Sequence, residues 1–365
     1  MQPPAPPAPP AAALAPLRAG DPPLVGGYRV LARIGAGRVG RVYLATTQSG
    51  RRLAIKVARP EFAGDPEFRR RFQDEVRAVQ RVAHRFVAAV VDTHPDGPQR
   101  PWVATEFVPG PSLARALAEH GPLPTDTVRA LVAGLAEGLR ALHDAGVVHG
   151  DLKPSNVLLG AAGPTIVDCG IARAAAAVQA TGSPLFMAPE QARPHDVTPA
   201  ADVFALGHLA FHAATGRTAF GTAADEIMVA PVAYDRPDLT GCPSVLRGLV
   251  QRCLAPSPGD RPSLDAVLAE LEQDPPGEGW LPAAVAARLP LYEADPPKPA
   301  PPPLASSAPA MPQILPPVEI PVAHGTPVQA PPVTAGRDST AMLILMAVLV
   351  AVGAVCSFVL VAILL

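Results

Sequence analysis

The chain has 365 residues with 30 Lys or Arg against 32 Asp or Glu, and its net charge of −2 excludes the basic footprint of a nucleic-acid-binding domain. Four cysteines without a Cys-x-x-Cys pair favour a reduced compartment and argue against a disulfide framework or a zinc site. Because 48 prolines cannot all lie in helices and strands, folded and unfolded regions must alternate. The first unfolded region is predicted at residues 1–27, a leader rich in Pro and Ala as far as residue 23, with no signal-peptide pattern.

A glycine-rich turn between two predicted strands opens the folded part. Residues 28–34 and 41–45 have the composition of strands, and the pattern Gly35-x-Gly37-x-x-Gly40-x-Val42 spans the turn between them. Such glycines let the backbone close over a phosphate chain because no Cβ stands in the way, although an ordinary hairpin turn explains them as well. A third predicted strand, residues 53–57, follows at short distance and contains Ala54 and Lys56.

Helical spacing predominates further along the chain. Over residues 66–83 an apolar stripe indicates an amphipathic helix, with Phe68, Phe72, Val76 and Val79 on one face. The run Glu106–Gly110 is predicted to be a hinge. Beyond it, long Ala/Leu segments predict helices, at 112–119, 125–145 and 201–215.

The segment His149–Asn156 concentrates reactive side chains. It holds the carboxylate of Asp151, the ammonium of Lys153 and the amide of Asn156, and Asp168 follows twelve residues later. Phosphoryl transfer from a nucleotide needs such a set: a base for the acceptor hydroxyl, a cation for the phosphate and oxygen ligands for magnesium. An ordinary turn is the alternative, since these are also turn residues. Against it, the chain has only three lysines beside 27 arginines, and two of the three are Lys56 and Lys153, so these sites demand a compact ammonium.

Together these motifs resemble the eukaryotic-like protein kinase superfamily, and in particular the transmembrane Ser/Thr protein kinases of actinobacterial type. The resemblance covers residues 28–275. It implies an α+β fold of two lobes: a small antiparallel β lobe with one helix over residues 28–105, and a large helical lobe over residues 109–275. One more short helix on the large lobe is expected within residues 276–294. The implied activity is that of a non-specific serine/threonine protein kinase, which uses ATP and Mg²⁺ and acts on protein Ser/Thr hydroxyls.

The resemblance also implies which residues bind the nucleotide. Lys56 would hold the phosphates and pair with an acid of the predicted helix, for which Glu67, Asp74 and Glu75 are candidates and Glu75 aligns best. Thr105 stands before the hinge, whose residues would offer backbone groups to adenine. The full implied set is Ile34, Gly35, Gly37, Gly40, Val42, Ala54, Lys56, Glu75, Thr105, Glu106 and Val108.

In the same way the resemblance assigns the reacting end of the site. Asp151 would accept the proton of the substrate hydroxyl and Lys153 would neutralise the migrating phosphoryl group, while Asn156 and Asp168 would hold magnesium. Three further residues have structural roles in the family. Glu190 and Arg261 would form a buried ion pair, and Asp202 would support the catalytic loop.

Two positions depart from the family pattern. Gly150 stands where many kinases carry the arginine that binds a phosphorylated activation loop, and the hydroxyls of that loop are reduced to Thr181 and Ser183. We therefore expect loop phosphorylation not to be the main switch, with a Thr181→Ala variant losing less than about tenfold in rate. Cys169 replaces a phenylalanine that packs beneath the helix. We expect a loosely clamped helix and modest basal activity that a homodimer or a Cys169→Phe substitution raises.

The C-terminal part is predicted to be a linker and a membrane anchor. Residues 295–338 form the linker, since 14 of the 37 residues from 296 to 332 are Pro. Residues 341–365 carry no charge and no proline, and a helix of this length would be about 37 Å long, enough to span a bilayer. A buried helix of a globular domain is the alternative. We expect a single-pass protein of the cell membrane whose kinase domain lies in the cytoplasm, with no outer domain.

Two other classes of function stay open. A nucleotide-binding pseudokinase scaffold at the membrane would account for Gly150 and Cys169. A purely structural membrane anchor with an inert domain would leave the placement of Lys56 and Lys153 unexplained.

Overall fold

The computed structural model describes residues 14–37, 39–94, 100–169, 184–192, 197–221, 236–272 and 276–295. The linker beyond residue 295, the apolar segment 341–365 and the loop residues Thr181 and Ser183 lie outside the described residues. Within these described ranges, no helix has the length and apolar character needed to traverse a bilayer.

A six-stranded antiparallel sheet forms the small lobe. In chain order its strands are β1 (Leu24–Val25), β2 (Tyr28–Ala36), β3 (Gly40–Thr46), β4 (Arg52–Ala58), β5 (Val90–His94) and β6 (Trp102–Glu106), and in space they run β1-β2-β3-β4-β6-β5. Side chains alternate across a strand, so Leu53, Ile55 and Val57 are buried on one face of β4, while Ala54 and Lys56 line a cleft on the other. The three strands predicted from the sequence are confirmed.

Two helices cover this sheet, α1 (Pro60–Ala63) and α2 (Pro66–Val79). Asp65 caps α2, because its side chain accepts the N–H of Glu67 at 2.8 Å and that of Phe68 at 3.3 Å, and Pro66 occupies the first turn. The predicted apolar stripe is confirmed: Phe68, Phe72 and Val76 form a buried cluster with Phe62 of α1. The helix ends at Val79, four residues earlier than predicted.

The large lobe surrounds two long buried helices. Its elements are α3 (Leu113–His120), α4 (Thr125–Asp144), the hairpin β7 (Val157–Gly160) and β8 (Gly163–Ile166), α5 (Pro199–Thr215), α6 (Ser244–Cys253) and α7 (Leu264–Leu271). Most residues of the Ala/Leu-rich α4 are buried, with charged residues such as Arg129, Glu137 and Arg140 on its remaining face, and the more uniformly apolar α5 is buried along most of its length. One sheet lobe beside one helical lobe is the α+β architecture that the motifs predicted.

Beyond α7 the chain packs back onto the large lobe. The expected single helix is instead two one-turn helices, α8 (Ala283–Ala286) and α9 (Pro290–Glu293), because Pro290 cannot continue a helix from α8 and begins a new one. Leu281 and Val285 enter the core of the large lobe, which confirms that this segment docks there.

The predicted disorder of the leader is wrong for residues 14–27. Ala15 exchanges two backbone hydrogen bonds with Arg33 at 2.8 and 2.9 Å, and β1 pairs with β2. Asp21 accepts two hydrogen bonds of 2.6 Å from Arg33 and one of 2.9 Å from Tyr43. The Pro/Ala composition suggested a solvated chain, but this stretch is held on the sheet by the side chain of Asp21 and by the buried Leu14 and Val25. Residues 1–13 lie outside the described residues.

Candidate active site

A buried carboxylate fixes the loop that carries the predicted catalytic residues. Asp202, in the first turn of α5, is 1 % exposed. Its Oδ2 accepts the N–H of His149 at 2.8 Å and its Oδ1 accepts the N–H of Gly150 at 2.8 Å. The Nε2 atom of His143 lies 2.8 Å from the same Oδ2. A buried carboxylate needs such hydrogen-bond partners. The bonds from His149 and Gly150 in turn fix the position of the loop backbone relative to α5.

Gly150 adopts a backbone conformation that disfavours a side chain. Its φ is +71°, in the left-handed region where a Cβ is strained. The carbonyl of Gly150 accepts a 2.8 Å hydrogen bond from Gln191, whose own Oε1 accepts the N–H of Ala188 at 2.9 Å. The residue that replaces the expected arginine therefore serves the local geometry of the loop.

The three reactive side chains of this loop come together. The Nζ atom of Lys153 lies 2.6 Å from Oδ2 of Asp151. Asn156 donates from Nδ2 to the carbonyl of Asp151 at 2.8 Å and to its Oδ2 at 3.2 Å. The N–H of Asp151 donates to Nδ1 of the buried His149 at 3.2 Å. The carboxylate of Asp151 is thus oriented by a cation and an amide, and all three side chains line the cleft.

The hairpin of β7 and β8 brings the two predicted magnesium ligands to the same end. Val157 pairs with Ile166, and the N–H of Val167 donates to the carbonyl of Asn156 at 3.0 Å, so Asn156 and Asp168 flank a paired region. The amide oxygen of Asn156 accepts a long hydrogen bond of 3.4 Å from the hydroxyl of Ser155 and keeps a second lone pair for a ligand. One amide and one carboxylate oxygen suit Mg²⁺, which takes few protein ligands and completes its shell with phosphates and water. Among the described residues there is no group of three or more His, Cys, Asp or Glu that would form a closed metal site.

Lys56 pairs with Asp168, and among the ion pairs between described residues none joins Lys56 to the expected Glu75. Its Nζ lies 2.9 Å from Oδ2 of Asp168, with both side chains partly shielded from solvent. Asp168 has φ +64°, unusual for a non-glycine residue, and this conformation places its carboxylate at the lysine. The helix α2 presents Val76 and Val79 to the cleft, while the half-buried Glu75 is not among the residues that line it. The sequence alone could not give the rotation of α2.

The glycine-rich turn is built as predicted but its glycines differ in role. The N–H of Gly37 donates to the carbonyl of Gly40 at 2.8 Å, which closes the turn. Gly35 and Gly37 line the cleft, whereas Gly40 does not. A Cβ at position 40 would lie 2.3 Å from the carbonyl oxygen of Val57, so glycine is needed there for the close approach of β3 to β4. Gly40 thus has a packing role, and its contact with a nucleotide stays a prediction.

The hinge can offer adenine a small number of backbone groups. The N–H of Glu106 donates to the carbonyl of Ala89 at 3.0 Å, so this N–H is occupied. In the described part of the chain, the N–H of Val108 makes no hydrogen bond to the protein and remains available to a ligand. Thr105, at the back of the cleft, points its hydroxyl toward the carbonyl of Ala54 at 3.5 Å.

The lobes enclose a cleft of about 690 Å³. That volume lies within the range of about 300–1,000 Å³ in which small-molecule sites fall. Of the predicted site residues, all except Gly40 and Glu75 line the cleft. The sequence interpretation missed further lining residues from several elements, among them Leu14, Phe107, Ser112, Arg115 and Tyr292. Phe107 lies within the predicted hinge and Ser112 follows it, so both had a signal in their position, whereas Leu14 and Tyr292 had none.

Glu190 and Arg261 form the ion pair that the family resemblance implies. Arg261 and Glu190 form a bidentate ion pair at 2.6 and 2.8 Å, and the side chain of Arg261 is completely buried.

Cys169 is buried in the core of the large lobe together with Val79 of α2. Burial raises the pKa of its thiol, and the carboxylate of Asp168 raises this pKa further, so the thiolate is disfavoured. The loosely clamped helix stays a prediction.

The sequence of this chain is similar to those of known proteins. The protein kinase domain family matches residues 28–271. The chain is 41% identical over 296 residues to the probable serine/threonine-protein kinase PkwA of Thermomonospora curvata, which covers 78% of this chain and 40% of PkwA. It is 43% identical over 278 residues to the serine/threonine-protein kinase AfsK of Streptomyces coelicolor, which covers 72% of this chain and 35% of AfsK. The chain thus spans well under half the length of these curated relatives.

A solved structure shares the fold. The crystal structure of the Mycobacterium tuberculosis PknI kinase domain superposes with a TM-score of 0.58 at 29% sequence identity. The match covers 70% of this chain and 98% of that domain. The family match does not include residues 1–27 or 272–365.

Proposed function

The chain is a member of the protein kinase domain family, and we propose that it is a Ser/Thr protein kinase that transfers the γ-phosphoryl group of ATP, with Mg²⁺, to hydroxyls of other proteins. One observation carries the proposal: Asp151 and Lys153 converge with Lys56 and Asp168 on a single cleft between a sheet lobe and a helical lobe. The names of the actinobacterial relatives, which are serine/threonine-protein kinases, support the choice of Ser/Thr as acceptor.

The acceptor end of the site depends on the loop that Asp202 holds. Asp151 orients the acceptor hydroxyl and takes its proton. Lys153, 2.6 Å from that carboxylate, places an ammonium where it can stabilise charge on the migrating phosphoryl group. Because the buried Asp202 bonds the two backbone N–H groups just before Asp151, this geometry exists before any ligand binds.

The phosphate end depends on Lys56, Asn156 and Asp168. Asn156 and Asp168 would hold Mg²⁺, which offsets the charge of the phosphates when it is bound. Lys56 would bind those phosphates from the small lobe. Its ammonium now contacts Asp168 at 2.9 Å, so nucleotide binding requires Lys56 to share or exchange this partner.

Transfer of labelled phosphate from ATP to a generic basic protein tests the proposal. The full chain should catalyse transfer, and Asp151→Asn should reduce the rate by about 100-fold or more, since a positioned general base contributes that much. Asp265→Asn is the matched control, because Asp265 is 76 % exposed in its surface pair with Arg140 and should leave the rate unchanged. A parent chain with no transfer, or an Asp151→Asn variant equal to the parent, would overturn the assignment.

A pseudokinase is the second candidate, and the Lys56–Asp168 contact favours it because it engages the lysine that should face the phosphates. This candidate predicts binding of Mg-ATP without transfer. The transfer assay and a binding titration on the same preparation separate the two functions.

We also propose that residues 341–365 anchor the chain in the cell membrane with the kinase domain on the cytoplasmic side. The support is their lack of charge over 25 residues and the proline-rich linker before them. The full chain should stay in the membrane fraction after an alkaline wash, and a chain ending at residue 338 should not. A full chain recovered in the supernatant would contradict the anchor.

We further propose that a homodimer is the activating state. Sedimentation at increasing protein concentration, with the kinase activity measured in parallel, tests this.

A further inference from the structure

Two residues that lie outside the family match contribute to the wall of the cleft. They are Leu14, before the matched residues 28–271, and Tyr292, after them. Leu14 is 4 % exposed and Tyr292 is 7 % exposed, so both are held in place by packing. Flanking segments of the chain therefore help to build the site.

The C-terminal segment from Trp280 to Asp295, here called the strap, is fastened first to the large lobe. Trp280 donates from Nε1 to the carbonyl of Gly160 at 2.9 Å. Val285 is buried in the core of that lobe, and Arg288 forms an ion pair with Glu119 of α3 at 3.4 Å.

The other end of the strap is fastened to the small lobe. Arg52 donates to the carbonyl of Glu293 at 2.7 Å and forms an ion pair with Asp295 at 3.0 Å. Arg52 is the first residue of β4, the strand that also carries Ala54 and Lys56. The strap thus crosses from one lobe to the other beside the hinge, and Tyr292 sits between its two attachments, with the guanidinium of Arg115 5.9 Å from its ring centre.

The N-terminal segment reaches the same end of the cleft. Leu14 forms a buried cluster with Ala32 and Leu44, against which Ile34 and the hinge residue Phe107 pack. The adjacent Ala15 is bonded to Arg33 of β2, which fixes the position of Leu14.

We propose that Leu14 and Tyr292 form an apolar wall that binds the base-and-sugar end of the nucleotide, an inference that rests on the proposed kinase function. Their neighbours are the hinge residue Phe107 and Arg115 of α3, whereas the phosphate-binding groups are Gly35, Lys56 and Asp168. Aromatic and aliphatic side chains that line a cleft stabilise a planar base and a sugar by removing both from water. The wall makes nucleotide affinity depend on segments that flank the kinase domain.

Calorimetric titration of the full chain with Mg-ATP, and separately with adenosine, tests the wall. Tyr292→Ala should weaken both by about tenfold, which corresponds to about 1.4 kcal/mol, while kcat at saturating ATP changes little. Tyr292→Phe should bind as the parent does, and Leu14→Ala should weaken both ligands in the same direction as Tyr292→Ala. Leu291→Ala is the matched control, because Leu291 lies on the same helix turn, is 46 % exposed and does not line the cleft. Magnesium tripolyphosphate, which has no base or sugar, should bind with the same Kd to the parent and to every variant when it is titrated without ATP.

The outcomes separate this inference from the proposed function. A parent chain that binds no Mg-ATP refutes the kinase proposal itself. A parent that binds, together with a Tyr292→Ala variant of equal affinity for adenosine and ATP, refutes the wall alone. Equal weakening of tripolyphosphate also refutes it, since Tyr292 would then act on the arrangement of the whole cleft. Should Tyr292→Ala not fold, Tyr292→Leu keeps most of the buried volume and should still weaken adenosine binding.

Discussion

The two sides of the cleft are held by different means. On the large-lobe side, the buried Asp202 accepts two backbone N–H groups of the loop just before Asp151, and the buried Arg261 forms an ion pair with Glu190. On the small-lobe side, Lys56 is held by one ion pair with Asp168, a partner that a magnesium nucleotide would also engage. The acceptor end of the site is therefore set by the protein alone, whereas the phosphate end is set together with the ligand.

Removing a buried charge on the large-lobe side should have the largest effect on stability. Arg261→Ala removes a completely buried cation and leaves Glu190, whose side chain is 16 % exposed, without its partner, so the free energy of unfolding should fall by about 3 kcal/mol. Arg217→Ala is the control, because the Arg217–Asp238 pair has a similar distance of 2.7 Å but both side chains are about half exposed. Urea unfolding should give a loss of no more than about 1 kcal/mol for this exposed pair. Equal losses for the two variants would contradict the contrast between buried and exposed pairs.

A side chain at position 150 should have a smaller effect. Gly150→Arg, which restores the residue common in the family, places a Cβ in the left-handed region and should cost about 1–2 kcal/mol of stability. Gly150→Asn should cost less, because asparagine tolerates this conformation. Thermal unfolding of both variants measures the difference. A Gly150→Arg chain as stable as the parent would show that the loop is less constrained than its bonds to Asp202 and Gln191 indicate.

The smallest effect is expected where the N-terminal segment joins the small lobe, and it depends on pH. Hydrogen bonds from Arg33 lower the pKa of Asp21 from its ordinary value of 3.8 to about 2. Because the folded pKa is the lower one, the contribution of Asp21 to stability is complete above about pH 4 and is lost as the pH falls toward 2. The stability difference between the parent and Asp21→Asn should therefore shrink over this interval. A difference that stays constant down to pH 2 would mean that the charge of Asp21 is irrelevant.

Much of the fold followed from local patterns in the sequence. The alternation in β4 and the stripe of α2 each fixed a buried face, because burying that face is what stabilises the element. The contents of the catalytic loop also followed, since Asp151, Lys153 and Asn156 lie within six residues and need little from the rest of the fold to meet.

What the sequence could not predict depends on contacts between distant segments. The partner of Lys56 is set by the rotation of α2 and the backbone of Asp168, neither of which has a local signature. Leu14 and Tyr292 belong to segments whose composition suggested a leader and a short appended helix, and only tertiary packing brings them to the cleft. Contacts of Leu14, Asp21 and Val25 with the sheet hold the N-terminal segment in spite of its proline-rich composition.

Binding of ATP to the full chain, measured by calorimetry with and without Mg²⁺, tests most directly whether the cleft is a nucleotide site. We predict saturable binding with Mg²⁺ and binding at least about tenfold weaker without it, because Asp168 then repels the phosphates while it competes with them for Lys56. Absence of binding, or an affinity that does not depend on Mg²⁺, would contradict the account.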